Sequence, residues 1–224
     1  MNNDYQDLTQ EIEQLSCASL VDAMGRVHDH RAHLLPLVSP SPRPLFGPAA
    51  TLAYLPRRAD LDEKTEDFGA LFYRSLGESP KGKVLVLSSG GHPDVSHGGG
   101  TKLSRLEHVE AAGVLADGRL RDFDELAAFG FATWCRGEAT RAGGETVSPV
   151  LANSPVEFGG VRIVPGDYVY ADSSGGVVIP HASLRQVLDE AAKVEAEDKG
   201  FAREIANESP AAPRSAGDEG EGEP

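Results

Sequence analysis

The chain has 224 residues, 40% of them hydrophobic and 25% charged, which is globular usage and excludes a collagen-like or wholly disordered protein. Twenty-one Lys and Arg against 35 Asp and Glu leave a formal net charge of −14, and no basic stripe interrupts that field, so nucleic acid is not expected as a direct partner. Two cysteines, Cys17 and Cys135, are too few for a disulfide framework or a thiolate zinc site. No apolar run approaches the ~20 residues of a membrane span, and the N-terminus lacks signal-peptide character. A cytoplasmic protein without membrane contact is expected.

In chain order, apolar positions Ile12, Leu15, Leu20, Val21 and Met24 predict one amphipathic helix over about Thr9 to Met24, closed by Gly25. The prolines at 36, 40, 42, 44 and 48 resist helix and lead into a strand over Ala49 to Leu55. Phe68 to Leu76 is a short helix. The continuous apolar run Lys83 to Leu87 has the character of a buried strand, followed by a Gly-rich loop and a helix over about Thr101 to Ala111. The rhythm repeats with a strand over Gly113 to Asp117 and a helix over Phe123 to Phe129, which makes a βαβ unit. Phe131 to Cys135 is a third strand. Short strands at 161–164, 168–170 and 176–179 follow, and a last helix spans about Ala182 to Glu204. Residues 1–205 therefore form an α/β domain, and 206–224, rich in Glu, Gly, Pro and Ser, a disordered acidic tail.

Open α/β sheets bind ligands at the C-terminal ends of parallel strands. The first such loop, Ser88 to Gly100, opens a helix whose unpaired N–H groups favour a carboxylate or phosphate, although it has neither the Walker nor the dinucleotide spacing. Its glycines also suit a tight turn with no ligand. The second loop, Asp117 to Asp122, belongs beside the first because consecutive βαβ strands are neighbours. Arg121 offers a planar fork for a carboxylate or an enolate, and Asp122 a hard oxygen for Mg²⁺ or Mn²⁺. The plain alternative makes Asp122 the N-cap of the next helix and Arg121 a solvated residue. His92, Asp94 and His97 form a loop His-x-Asp-x-x-His that could hold a transition metal, though loop histidines are more often solvated. Lys102 is an exposed or anion-facing charge rather than a Schiff-base lysine, and Cys135 belongs to the core.

The frame Gly99-Gly100-Thr101-Lys102-Leu103, followed by Asp117-Gly118-Arg119-Leu120-Arg121-Asp122-Phe123-Asp124-Glu125, resembles the RraA-like family. Leu20 to Met24, Phe46 to Thr51, and Phe158 through Asp167 to Val178 extend the likeness, which runs roughly from Leu15 to Lys199. The family holds class II pyruvate aldolases acting on 4-hydroxy-4-methyl-2-oxoglutarate and 4-carboxy-4-hydroxy-2-oxoadipate, and the ribonuclease E regulator for which it is named. The resemblance implies a β/β/α swivelling-type fold with a C-terminal helix, assembled as a homotrimer or hexamer with active sites between subunits. It gives Arg121 the pyruvyl group, Asp122 the Mg²⁺ or Mn²⁺, and the turn Gly99, Gly100, Thr101, Lys102, Leu103 the substrate carboxylate.

Glu125, and Glu195 or Glu197 from a neighbouring subunit, are the further acids that the resemblance suggests near the metal. The family's aldolases usually carry an acid where this chain has Gly100, and Asp94 and His97 are the candidates to replace it. The regulator lacks the aspartate of the pair, so Asp122 favours an enzyme. The resulting expectation is a metal-dependent lyase that releases pyruvate from a 4-hydroxy-2-oxo acid through a metal-stabilised enolate, with oxaloacetate decarboxylation as a related activity. Its rivals are a non-catalytic regulator that binds a ribonuclease and a biosynthetic enzyme applying the same chemistry to another oxo acid.

Overall fold

In a computed structural model, residues 8–64 and 66–207 are described. The predicted helix over Thr9 to Met24 is two pieces: a helical turn at residues 8–12, then α1 (Cys17–Val27). Ser16 separates them. Its side chain accepts the Ser19 N–H and Ser19 reciprocates in a capping box, so the backbone restarts there although the apolar periodicity runs through. Gly25 lies inside α1 rather than closing it.

The strands β1 (His33–Leu34), β2 (Leu45–Pro56), β3 (Val84–Ser88), β4 (Gly113–Ala116), β5 (Ala132–Trp134) and β6 (Val147–Ala152) join β9 (Tyr168–Asp172) and β10 (Gly175–Ile179) in one eight-stranded sheet among the described residues. The hairpin β7 (Val156–Phe158) and β8 (Val161–Ile163) pairs separately. β2 to β5 run parallel to one another. β2 is longer than predicted because its first residues pair antiparallel with β9 and its last with β6. β1, β6 and β7 were not expected.

β3 is buried at every position because both of its faces are covered. Leu85 and Leu87 pack, with Val114 and Ala116, against the helices α2 (Phe68–Leu76), α3 (Gly100–His108) and α4 (Phe123–Ala128) through Phe72, Leu103, Leu106 and Leu126. Val84 and Val86, pointing the other way, meet Leu115, Trp134 and the hairpin residues Phe158, Val161 and Ile163. A third cluster packs α1 and the C-terminal helix α5 (Leu184–Ala206) on Val177, Ile179 and Tyr170. The expected α/β architecture, with its βαβ core and C-terminal helix, is thus formed. From residue 208 onward the acidic tail lies outside the described residues. No helix among the described residues is long and apolar enough to cross a membrane.

The C-terminal ends of β3, β4 and β5 are tied by one buried carboxylate. Asp117 accepts from Arg136 Nη2 at 2.5 Å and Nε at 2.9 Å, and from the Ser89 hydroxyl at 2.8 Å. Asp117→Ala leaves the guanidinium and hydroxyl without that partner. It is expected to lower the unfolding free energy by about 1–3 kcal/mol in urea denaturation.

Candidate active site

The two loops lie side by side, as the βαβ geometry requires. Arg119 O accepts the His97 N–H at 2.9 Å, and Gly98 O accepts the Arg121 N–H at 2.9 Å. The Tyr54 hydroxyl, reaching over from β2, donates to His97 O at 2.5 Å, and Ser96 Oγ donates to Gly98 O at 2.7 Å. Together these bonds fix the turn before α3 against the segment carrying Arg121 and Asp122. A cavity of about 400 Å³ opens there, lined by Gly99, Thr101, Lys102, Arg121 and Asp122 on one side and Tyr54, His97, Gly143 and Ser148 on the other.

Asp122 sits at the N-cap position of α4 in the left-handed region (φ 63°, ψ 49°), which Asp tolerates better than most residues. Its side chain makes no capping bond to α4. It turns instead to α3, where Oδ2 accepts the Gly100 N–H at 3.1 Å. The α4 N–H of Phe123 is taken by Glu138 Oε1 at 3.0 Å. The plain N-cap alternative for Asp122 is therefore not what forms. Arg121 Nη2 stands 4.0 Å from Asp122 Oδ2, and both side chains keep about a third of their surface open. Gly99 is required by this approach: a Cβ there would come within 2.5 Å of Asp122 Oδ2 and 3.3 Å of Arg121 Cβ.

Within the turn Gly99 to Leu103, two residues are engaged by the protein itself. The Gly100 amide already serves Asp122, while Leu103 is wholly buried in the core and its N–H donates to Gly99 O. Gly99, Thr101 and Lys102 remain on the cavity wall. Although Lys102 is exposed as a residue, its ammonium stands 5.2 Å from the Phe68 ring centre. Lost hydration first, then the charges of Arg105 and Arg121, hold it below the usual lysine value. The cavity thus concentrates positive charge and amide donors.

His97 forms part of the wall, but its ring is buried, with Nε2 3.2 Å from Ser89 O and Nδ1 unpartnered. Burial lowers its pKa from 6.5, so in acid the unfolded chain takes up a proton that the folded chain refuses. Stability should fall as the pH drops below about 6.5, at no more than ~1.4 kcal/mol per pH unit from this residue. His97→Gln should remove that part of the slope between pH 7.5 and 5.5 in denaturant melts.

Asp94 does not join Asp122. It is exposed and pairs with Arg119 at 3.5 Å beside a separate cleft. Within the same chain, Glu195 accepts from the Ser16 hydroxyl at 2.9 Å and Glu197 from Arg26 at 2.7 Å. Glu125 does approach the turn, its carboxylate abutting Gly100. The thiol of Cys135 is buried and pushed up to about 11 by burial, in keeping with a core residue. The far wall, with Tyr54, Gly143 and Ser148, was missed; the pair Gly143-Gly144 was its one local signal.

Among the described residues no three His, Cys, Asp or Glu side chains converge as a ready-made metal cage. The donor set nevertheless fits Mg²⁺ or Mn²⁺, which are held by one or two carboxylates with water and substrate oxygens completing the shell. Asp122, fixed by Gly100 and facing an open cavity, supplies such a carboxylate.

The chain is similar to known proteins in sequence and in fold. The RraA-like family model, described as Aldolase/RraA, matches residues 17–179. The Legionella pneumophila protein DlpA is 28% identical over 148 residues, covering 65% of this chain and 23% of DlpA. A Halalkalibacterium halodurans protein, provisionally named a 4-hydroxy-4-methyl-2-oxoglutarate aldolase, is 31% identical over 134 residues, 60% of this chain and 63% of that protein. The chain thus spans less than two thirds of both. Streptomyces coelicolor RraAS2, described as an unusual member of the RNase ES inhibitor RraA family, superposes with a TM-score of 0.76 at 26% identity, covering 89% of this chain and 98% of RraAS2. The chain belongs to the RraA-like, Aldolase/RraA family.

Proposed function

We propose that this protein is a divalent-metal-dependent lyase that cleaves the C–C bond of a 4-hydroxy-2-oxo acid to release pyruvate, and decarboxylates oxaloacetate at the same site. One observation carries the reading: the Arg121–Asp122 pair and the first turn of α3 line a single cavity. The provisional aldolase name of the H. halodurans relative supports it.

In this reading Asp122 holds Mg²⁺ or Mn²⁺, which supplies Lewis-acid polarisation of the 2-oxo group. The guanidinium of Arg121 binds the pyruvyl oxygens and stabilises the negative charge that grows on them as the bond breaks. The amides of Thr101 and Lys102 face the substrate carboxylate, and the Lys102 ammonium adds a second cation for a dianionic substrate. Both reactions leave the same pyruvate enolate, so one set of donors serves both.

The rival reading, a non-catalytic regulator that binds a ribonuclease, draws on the likeness to RraAS2. The Asp122 carboxylate, turned to Gly100 instead of capping its own helix, favours the enzyme. Purified protein assayed with Mg²⁺ or Mn²⁺ should release pyruvate from 4-hydroxy-4-methyl-2-oxoglutarate or oxaloacetate and stop when EDTA is added. Absence of pyruvate from both substrates would sink the reading.

We extend the proposal to a cytoplasmic homotrimer or dimer of trimers with the cavity at the subunit boundary. Support comes from the half-exposed Leu55 and Leu151 on β2 and β6, the strands whose residues Tyr54 and Ser148 wall the cavity. Light scattering should give about three or six times the chain mass of 23.7 kDa.

A further inference from the structure

The cavity is charged on one wall alone. Lys102, Arg121 and Asp122 come from α3 and from the loop before α4. The described residues that β2 and segment 142–149 add to the lining, among them Tyr54, Ala142, Val147 and Pro149, carry no charge. The two charges that this segment does hold, Arg141 and Glu145, bond to each other, and Arg141 lines the neighbouring cleft with Asp94 and Arg119. Burial keeps His97 uncharged near neutral pH.

The uncharged wall is built into the fold. Alternation along β6 puts Val147 and Pro149 on one face of the strand, and Pro149 pairs with Tyr54 in the register with β2. From there Tyr54 reaches His97 O. The segment entering β6 is seated on the same loop: Ala142 bridges Ser96, and a Cβ on Gly143 would overlap Ser96 O and lie 3.3 Å from Val147 Cγ2. The two walls are thus held against each other across one cavity.

A 4-hydroxy-2-oxo diacid carries two carboxylates, at C1 and on C4, a hydroxyl on C4, and one further substituent there. Its carboxylates find partners on the wall of Lys102 and Arg121. An ionised group pressed on the other wall would lose its hydration and gain no counter-charge. Resting on the lyase reading, we propose that the wall of Tyr54, Val147 and Pro149 selects the further C4 substituent, taking an alkyl group and refusing one that bears a carboxylate. The substrate class is then the 4-alkyl-4-hydroxy-2-oxo diacids. Cleavage breaks the C3–C4 bond, the C4 hydroxyl loses its proton, and the pyruvate enolate takes one up; the second product is the 2-oxo acid that keeps the alkyl group.

The test compares pyruvate release by the full chain with Mg²⁺ from three diacids that differ only in this substituent. They are 4-hydroxy-4-methyl-2-oxoglutarate, its 4-ethyl counterpart, and 4-carboxy-4-hydroxy-2-oxoadipate, which carries carboxymethyl. The ethyl compound should be cleaved within about tenfold of the methyl one, and the carboxymethyl compound about 10²-fold less well in kcat/KM, as an unpaired charge on an apolar wall requires. Ala142 lies on the cavity lining and is exposed, so Ala142→Arg should fold as wild type in thermal melts. The added cation should raise the carboxymethyl-to-methyl ratio by about tenfold or more. Cleavage of the carboxymethyl compound as fast as the methyl one, or a ratio that Ala142→Arg leaves unmoved, would overturn this assignment and leave the lyase reading standing. Pyruvate from none of the three, nor from oxaloacetate, would overturn both.

Discussion

Asp122→Asn is expected to lower kcat/KM for pyruvate release by at least about 10²–10³-fold, the scale on which removing one preorganised charge-stabilising group acts. The fold should be untouched. Asn tolerates the left-handed backbone that residue 122 adopts, and its side-chain oxygen can still accept the Gly100 N–H. Asp122→Ala differs: it loses that bond and sets a Cβ residue without a polar side chain at φ 63°, which costs about 1–2 kcal/mol. Steady-state kinetics on both variants, with thermal melts alongside, separate the two effects. Equal activity in Asp122→Asn and wild type would remove Asp122 from the chemistry.

Gly99→Ala should be nearly as damaging for a different reason. The backbone at residue 99 is extended (φ −163°) and accepts any residue. The added methyl, however, would meet Asp122 Oδ2 at 2.5 Å and Arg121 Cβ at 3.3 Å, displacing the two side chains on which the proposed reaction depends. A shift of about 1 Å in such groups costs on the order of 10²-fold in rate, and overpacking adds about 1–3 kcal/mol of destabilisation. Gly25→Ala is the control. It lies inside α1 with nothing within 4 Å of the new methyl, and should be neutral or stabilising by up to ~1 kcal/mol. Full activity in Gly99→Ala would mean that the approach of the turn to Asp122 is not needed.

The parallel core was legible in the sequence because strands covered on both faces leave uninterrupted apolar runs, as at Val84 to Leu87. The adjacency of the two loops followed from βαβ connectivity alone. What was not legible depended on partners distant in the chain. β6 carries Pro149 and mixed burial, so no period marks it; its pairing opposite an irregularity at Tyr54 is set by β2. The break before α1 was hidden because Ile12, Leu15 and Leu20 are buried on both sides of it, leaving only Ser16 as a signal. Leu103 lies in the turn that the resemblance assigns to the substrate carboxylate; that its side chain packs in the core and its N–H donates to Gly99 O is set by the fold. That Glu125 fills the place of a side chain at Gly100 is a relation between two helices that neither segment displays alone.

The central claim is that one cavity holds a divalent ion on Asp122 and an oxo acid against Arg121 and the first turn of α3. A crystal structure of the protein with Mn²⁺ and oxalate tests it most directly. The account predicts an anomalous peak bonded to the Asp122 carboxylate, with oxalate bridging the ion to the Arg121 guanidinium. A peak elsewhere, or oxalate bound away from Arg121 and Thr101, would contradict it.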